Sequence, residues 1–152
     1  MKIYISGALH ASRNLAAARA LYEATAFHIE ELGHEAYLPH LKTDPVNNVD
    51  VSPQVVYGQD KREILSSDLI VAFLNEPSFG VGAELVLASQ RQIPMLALND
   101  HKLTVSRFLV GHLLATGAVI RTYETLESIK QHVSIFVKNR EAHSGRLNRI
   151  AL

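Results

Sequence analysis

Short apolar runs and longer amphipathic segments alternate along the chain. Five apolar runs have the length and composition of β-strands, at 2–6, 36–38, 69–74, 93–98 and 118–123. Segments with helical spacing lie between them or follow them, at about 14–32, 53–66, 82–91, 105–115 and 126–138. Strands that alternate with helices predict an α/β fold: a single Rossmann-like or flavodoxin-like domain with a five-stranded parallel sheet flanked by helices.

Capping residues predict several helix boundaries. Ser12 or Asn14 would cap the first long helix, and Ser52 followed by Pro53 would begin the next. The segment 42–50 between these helices is rich in Asn, Asp and Pro and is predicted to be a polar loop.

The length of 152 residues allows one domain with its own core and is too short for two ordinary ones. We expect residues 1–139 to form this domain and residues 140–152, with three arginines and a late apolar pair, to form a C-terminal tail. Such a tail could be a mobile arm or a clasp between subunits.

Charge and composition exclude several functions. Fifteen basic and fifteen acidic residues leave no net charge, which argues against a nucleic-acid or membrane-surface partner. No run of 18 apolar residues and no signal-peptide pattern is present, so a cytoplasmic enzyme or binding domain is expected. Without cysteine, a thiolate nucleophile and a disulfide are excluded, and the eight histidines have no metal-ligand spacing, so no metal site is predicted.

The third strand leads directly into the most informative segment. Gly80 and Gly82 would allow a tight turn and close approach of a ligand to the backbone, and Glu84 would lie in the first turn of the next helix. Free N–H groups and the helix dipole would keep Glu84 ionised at neutral pH, as a nucleophile requires. An ordinary first-turn glutamate is the alternative. The dinucleotide-binding motif G-x-G-x-x-G is not matched, because Leu85 occupies the place of its third glycine.

Other candidates follow from the rule that sites in parallel sheets lie beyond the carboxyl ends of the strands. We expect three strand ends to face one crevice. They contribute Ser6, Gly7, His10, Ser12 and Arg13 after the first strand, residues 75–78 after the third, and Asn99 and Asp100 after the fourth.

Two further candidates lie within predicted elements. Tyr4, in the first strand, could reach the crevice, although strand tyrosines more often serve packing. Asp60 lies in the helix before the third strand, where aspartates usually face solvent.

These residues resemble a known family. Tyr4-Ile-Ser-Gly7, Asp60 with Ser67-Asp68-Leu-Ile-Val-Ala72, and Glu76-Pro-Ser-Phe-Gly-Val-Gly-Ala-Glu-Leu85 are similar to the nucleoside 2-deoxyribosyltransferase superfamily, most of all to its 2'-deoxynucleoside 5'-monophosphate N-hydrolases. The likeness covers most of residues 2–125.

The resemblance implies an activity and roles for its residues. The chain would hydrolyse the N-glycosidic bond of (2'-deoxy)nucleoside 5'-monophosphates, giving free base and (deoxy)ribose 5-phosphate without a cofactor. Glu84 would form a covalent glycosyl intermediate, while Tyr4 and Asp60 would orient it and handle the base. Ser106 would reach the site of a neighbouring subunit in a homodimer or higher homo-oligomer. The alternative is that Ser106 only begins a helix and contacts no ligand.

Position 78 separates the two branches of this superfamily. The transferases have an aspartate where this chain has Ser78, and a carboxylate there would oppose a 5'-phosphate by about 4 kcal/mol at 4 Å. A hydroxyl would donate to the phosphate instead, with Ser12, Arg13 and the backbone at Gly80 and Gly82 nearby. The first loop departs from the hydrolases, which are richer there in glycine and arginine. A base-exchanging transferase and a noncatalytic nucleotide-sensing domain remain as alternatives.

Overall fold

The fold is described from a computed structural model, which covers residues 1–9, 14–44 and 47–150, with residues 144–150 described for their backbone only. The predicted contributions of His10, Ser12 and Arg13 therefore lie outside the described residues.

All five strands are parallel and form one sheet in the order β2-β1-β3-β4-β5. The strands are β1 Lys2–Ser6, β2 Glu35–Tyr37, β3 Leu69–Phe73, β4 Met95–Asp100 and β5 Val119–Tyr123. In register, Tyr4 of β1 pairs with Ile70 of β3. The predicted fold class is confirmed, and the strand order is the flavodoxin-like one.

Six helices are described around this sheet. They are α1 Leu15–Glu31, α2 His40–Thr43, α3 Pro53–Leu65, α4 Phe79–Gln90, α5 Arg107–Ala115 and α6 Leu126–Ile150. No helix in the described part of the chain is both long and apolar enough to cross a membrane.

Alternating side chains of the strands build two cores. On β1, Ile3 and Ile5 pack with α1 and α6, whereas Tyr4 points to the opposite core, which includes α3, α4 and α5. Both faces of the sheet are thus covered, which accounts for the continuous apolar sequence of β3.

Capping side chains set the helix starts. Asn14 and Ser52 cap α1 and α3 as predicted, by accepting backbone N–H bonds at 3.1 and 3.4 Å. The predicted start of α4 at residue 82 is wrong, because Ser78 Oγ accepts the Val81 N–H at 3.3 Å and the helix begins at Phe79.

Two other predicted boundaries differ from the structure. The short helix α2 begins before the segment predicted as a loop and extends into it, and Thr43 Oγ1 lies 3.0 Å from the Pro39 carbonyl. The last helix continues past its predicted end at residue 138, and the residues that extend it include no proline.

The order of the strands creates a crevice beside β1. The connection from β1 to β2 passes through α1 on one face, and the connection from β3 to β4 passes through α4 on the other. Because the chain leaves the adjacent ends of β1 and β3 in different directions, a gap opens there, which is where ligands bind in such sheets.

Candidate active site

Glu84 is held by two hydroxyl groups of β1. Tyr4 Oη donates to Glu84 Oε1 at 3.1 Å, and Ser6 Oγ donates to Glu84 Oε2 at 2.5 Å. Tyr4 and Ser6 are two residues apart on one strand, so their side chains project from the same face. Tyr4 therefore contacts Glu84, the residue that it was expected to orient. Ser6, predicted as a substrate contact, donates its hydroxyl proton to the Glu84 carboxylate.

Burial dominates the ionisation of Glu84. It raises the pKa of this carboxyl from its ordinary 4.5 to about 7, with the charge of Asp60 adding to the rise, while the hydrogen bonds from Ser6 and Tyr4 oppose it. The predicted place of Glu84 in the first turn of its helix is wrong. Because α4 begins at Phe79, Glu84 lies in its second turn, beyond the free N–H groups.

Asp60 is the second carboxylate of the site and comes from α3. Thr43 Oγ1 lies 3.3 and 3.4 Å from its two oxygens. Burial raises the pKa of Asp60 to about 6 against the hydrogen bonds from Thr43 and Tyr37, and the charge of Glu63 is a smaller cause of the rise. Burial is therefore the main cause of the raised pKa of Asp60, ahead of any neighbouring charge.

Two stacked tyrosines lie behind these carboxylates. The rings of Tyr4 and Tyr37 are parallel within 19°, with centroids 5.5 Å apart. Burial and the nearby charge of Glu84 hold the pKa of Tyr4 well above its usual range, so its hydroxyl remains a donor at physiological pH. Tyr37 and Thr43 were not predicted from the sequence, because a strand tyrosine and a loop threonine carry no motif.

One cleft of about 1220 Å³ brings most of the predicted site together. The predicted residues among those that line it are Asp60, Glu76, Pro77, Ser78, Gly80, Gly82, Glu84 and Ser106. Its apolar wall includes Val49, Val51, Val56 and Tyr57, from the segment after α2 and from α3. A flat apolar group and a charged group can therefore be accommodated in one cavity, which is lined by the carboxylates of Asp60, Glu76 and Glu84.

The glycines of the motif act differently from the prediction. Gly80 and Gly82 lie inside α4 and form no turn. A Cβ atom at Gly82 would have nothing within 4 Å, so the bare backbone leaves open space on the cleft side of the helix. Gly7 has another role, because a Cβ atom there would lie 2.3 Å from the Tyr22 ring, and Gly7 is not among the described residues that line the cleft.

Both serines at the mouth of the cleft have a proton to donate. Ser78 Oγ accepts a hydrogen bond from the Val81 N–H, so the Ser78 hydroxyl can still donate its own proton. Ser106 precedes α5 and is exposed, and its side chain makes no capping hydrogen bond. Hydroxyl donors of this kind suit an anionic group of a ligand.

Three other strand-end candidates do not line the cleft. Asn75 donates to the Tyr123 hydroxyl and accepts the Asp100 N–H at 2.9 Å, and Asn99 donates to the Leu103 carbonyl at 2.8 Å. The expectation that all three strand ends face one crevice is wrong at these positions, because their side chains tie the ends of the sheet together.

An ion pair fixes the segment that borders the cleft. Asp44, which is buried, pairs with Arg19 of α1, and its Oδ1 accepts the Asn47 N–H at 2.8 Å. Asp44 follows Thr43 directly, so the ion pair also positions the hydroxyl that contacts Asp60. Within the described ranges, no group of three or more His, Asp or Glu side chains is placed to hold a metal ion.

Comparison with known proteins supports the resemblance drawn from the sequence. No protein-family model matches the chain. A Methanosarcina mazei protein named "Putative 2'-deoxynucleoside 5'-phosphate N-hydrolase 1" is 29% identical over 139 residues, covering 90% of this chain and 83% of that protein. A Thermofilum pendens protein of the same name is also 29% identical, over 85% of this chain and 94% of its own length.

Solved structures show the same fold. The Clostridium botulinum CMP N-glycosidase has a TM-score of 0.67 at 18% identity, covering 88% of this chain and 99% of that one. A 2-deoxyribosyltransferase from Leishmania mexicana has a TM-score of 0.60 at 17% identity, covering 90% of this chain and 97% of that one. The resemblance drawn from the sequence is confirmed by the names of the relatives, and at these identities the solved structures show the fold alone.

Proposed function

We propose that the protein hydrolyses the N-glycosidic bond of 2'-deoxynucleoside 5'-monophosphates, releasing the base and deoxyribose 5-phosphate. The observation that carries the proposal is the pair of carboxylates in one cleft, with Glu84 held by Tyr4 and Ser6 and with Asp60 held by Thr43. The names of the relatives agree with this substrate class.

Glu84 is the nucleophile in this proposal. Its carboxylate attacks C1' of the sugar while the C1'–N bond breaks, and the electron pair of that bond goes to the base. Water then attacks C1', which frees Glu84 and gives the sugar phosphate. Two hydroxyl donors on one carboxylate fix its rotamer and leave the direction toward the sugar defined.

Asp60 gives a proton to the leaving base and recovers one from the attacking water. Burial raises the pKa of both carboxyls, so near neutral pH the pair can hold the proton that the leaving base needs. Positive charge that develops on the sugar beside Glu84 favours its ionised form, so binding and bond breaking move the pair toward the reactive arrangement.

The phosphate is recognised by neutral donors in this proposal. Ser78 and Ser106 supply hydroxyl protons on the cleft wall, and a neutral serine at position 78 lacks the charge with which an aspartate would repel the phosphate. This feature favours hydrolysis of nucleotides over base exchange between nucleosides.

We also propose a homodimer in which Ser106 completes the site of the partner. Phe79, which is fully exposed, and Phe108, which is 88% exposed, border the cleft next to Ser78 and Ser106. Large aromatic side chains at these positions are suited to be covered by a second copy of the chain. The cytoplasmic location and the C-terminal tail remain predictions.

The test is base release from a panel of deoxy- and ribonucleoside 5'-monophosphates, followed by chromatography. We expect Glu84→Gln to lose base release while nucleotide binding stays within about tenfold of that of the unaltered protein, since the amide has the shape of the carboxylate but cannot trap the sugar. Glu124→Gln, at an exposed position outside the cleft, is the matched control. Activity of Glu84→Gln within tenfold of the control would remove Glu84 from the nucleophile role.

A nucleotide-sensing domain without catalysis would keep binding and release no base from any nucleotide. The hydroxyl pair on Glu84 argues against it, because a sensor has no use for a carboxylate oriented in this way.

A further inference from the structure

The hydroxyl of Thr43 has one proton and two kinds of acceptor within reach. Thr43 Oγ1 lies 3.0 Å from the Pro39 carbonyl, and 3.3 and 3.4 Å from the two carboxyl oxygens of Asp60. A hydroxyl donates one hydrogen bond and can accept others, so it does not serve the carbonyl and the carboxylate fully at the same time. Which of them receives the proton depends on whether Asp60 itself carries one.

Each protonation state of Asp60 has a matching orientation of this hydroxyl. When Asp60 is ionised, its oxygens can only accept, and the Thr43 O–H turns toward them. When Asp60 is protonated, its own O–H donates to Thr43 Oγ1, and the Thr43 proton turns to the Pro39 carbonyl. The change is a rotation about the Cβ–Oγ1 bond of Thr43, so no covalent bond forms or breaks in this residue.

The helix that carries Thr43 is anchored on α1 by two pairs of side chains. Arg19 pairs with Asp44, and Glu23 Oε1 lies 3.0 Å from His40 Nε2. Because Arg19 and Glu23 are one turn apart on α1, the two contacts hold both ends of α2. The anchored backbone therefore stays in place while the Thr43 hydroxyl turns.

We propose that Thr43 is a positioning residue that serves Asp60 in both of its protonation states, accepting a hydrogen bond from the acid and donating one to the carboxylate. Asp60 passes through both states if it gives a proton to the leaving base and takes one from water, so for catalysis this inference rests on the proposed function. A partner that served one state only would release the Asp60 side chain in the other, whereas Thr43 keeps it in one place.

Other titratable groups around Asp60 belong to four elements. They are Tyr4 of β1, Tyr37 of β2, Glu63 of α3 and Glu84 of α4, and Lys61 lines the same cleft. Burial raises the pKa of Asp60 to about 6, so its acid prevails at pH 4.5 and its carboxylate at pH 8. A double-mutant cycle cancels the titration of the other groups, because they are present in all four proteins.

The first experiment measures the coupling between the two side chains by urea unfolding of the full-length protein without ligand. The cycle consists of native protein, Thr43→Val, Asp60→Ala and the double variant, at pH 4.5 and pH 8. We expect Thr43→Val to lower the urea midpoint more when Asp60 is present than in the Asp60→Ala background, and to do so at both pH values. A difference at one pH value only, or at neither, would overturn the proposal.

Thr25→Val is the matched control for this cycle. Thr25 is buried on α1, and its Oγ1 donates at 2.8 Å to the Leu21 carbonyl, four residues earlier in the chain, which is the spacing between Thr43 and Pro39. The control therefore removes the same kind of backbone contact without touching Asp60. Its effect on the urea midpoint should be the same with and without the Asp60 carboxyl.

The second experiment measures base release from a deoxynucleoside 5'-monophosphate. Thr43→Val should lower kcat by about tenfold or more and leave KM within about threefold, because the hydroxyl acts on the proton donor and not on substrate binding. Thr43→Ser keeps the hydroxyl and should return most of this kcat, whereas Thr25→Val should change neither constant. An equal fall in kcat for the valine and serine variants at position 43 would show that the methyl group matters instead of the hydroxyl, and would overturn the positioning role. If native protein releases no base, the proposed function fails, while the urea cycle still decides whether Thr43 serves both states of Asp60.

Discussion

Replacing Glu84 by glutamine should stabilise the fold, and more so as pH rises. A buried carboxyl whose pKa is raised binds its proton more tightly in the folded state than in the unfolded state. Below the ordinary pKa of 4.5 the group is protonated in both states and costs nothing, whereas above about 7 it is ionised in both and the cost of burying the charge is complete. The native protein should therefore lose stability between these values, and the glutamine variant should not.

The magnitude follows from the size of the shift. A rise in the pKa of Glu84 from 4.5 to about 7 corresponds to about 3 kcal/mol, at 1.36 kcal/mol per pKa unit. Since Glu84 lines a cleft that water enters, screening reduces this figure, and we expect about 2 kcal/mol at pH 8 and little difference at pH 4.5. For a chain of this length, 2 kcal/mol corresponds to about 4–8 °C in Tm.

Urea unfolding at pH 4.5 and pH 8 measures this effect, with native protein, Glu84→Gln and the exposed control Glu124→Gln side by side. The control should show no pH-dependent gain. The same stability difference between Glu84→Gln and native protein at both pH values would refute the reasoning, because a gain that does not depend on pH cannot come from the ionisation of a buried carboxyl.

Two further predictions concern the phosphate and the assembly. Ser78→Asp should lower activity on nucleoside 5'-monophosphates at least tenfold more than activity on unphosphorylated nucleosides. Ser78→Asn is the control, since aspartate and asparagine can both replace the cap on Val81 and only aspartate is charged. Equal losses for both substrate classes would make Ser78 structural. If Ser106 acts in the partner's site, an equal mixture of inactive Glu84→Gln and inactive Ser106→Ala chains should regain about a quarter of native activity, because half of the dimers are hybrid and each contains one intact site. No recovery, with subunit exchange established by mass measurements on tagged chains, would show that each chain builds its own site.

The sheet could be predicted from the sequence because both of its faces are covered. A short, continuous apolar run such as β3 is typical of a strand buried on both faces, and the caps at Asn14 and Ser52 mark where helices begin. The start of α4 was misjudged because glycines were interpreted as a turn, whereas Ser78 supplies a cap and the glycines continue as helix.

The chemistry of the site was only partly predictable. Glu84 and Tyr4 stand out through motif and position, and their contact is present. The support of Asp60 by Tyr37 and Thr43 depends on packing between segments that are distant in sequence, which local patterns do not encode. The pKa of Glu84 likewise depends on burial, which outweighed the local helix effect.

The position of β1 has a consequence for the synthesis of the chain. β1 emerges first from the ribosome, yet it lies inside the sheet and needs both β2 and β3 to pair with it. At about 5–20 residues per second, roughly 3–13 s pass between the completion of β1 and that of β3, and during this time one edge of an apolar strand is open to other chains. The nascent protein should therefore be most prone to aggregation before residue 73 has been made, when the chain does not yet contain Glu84.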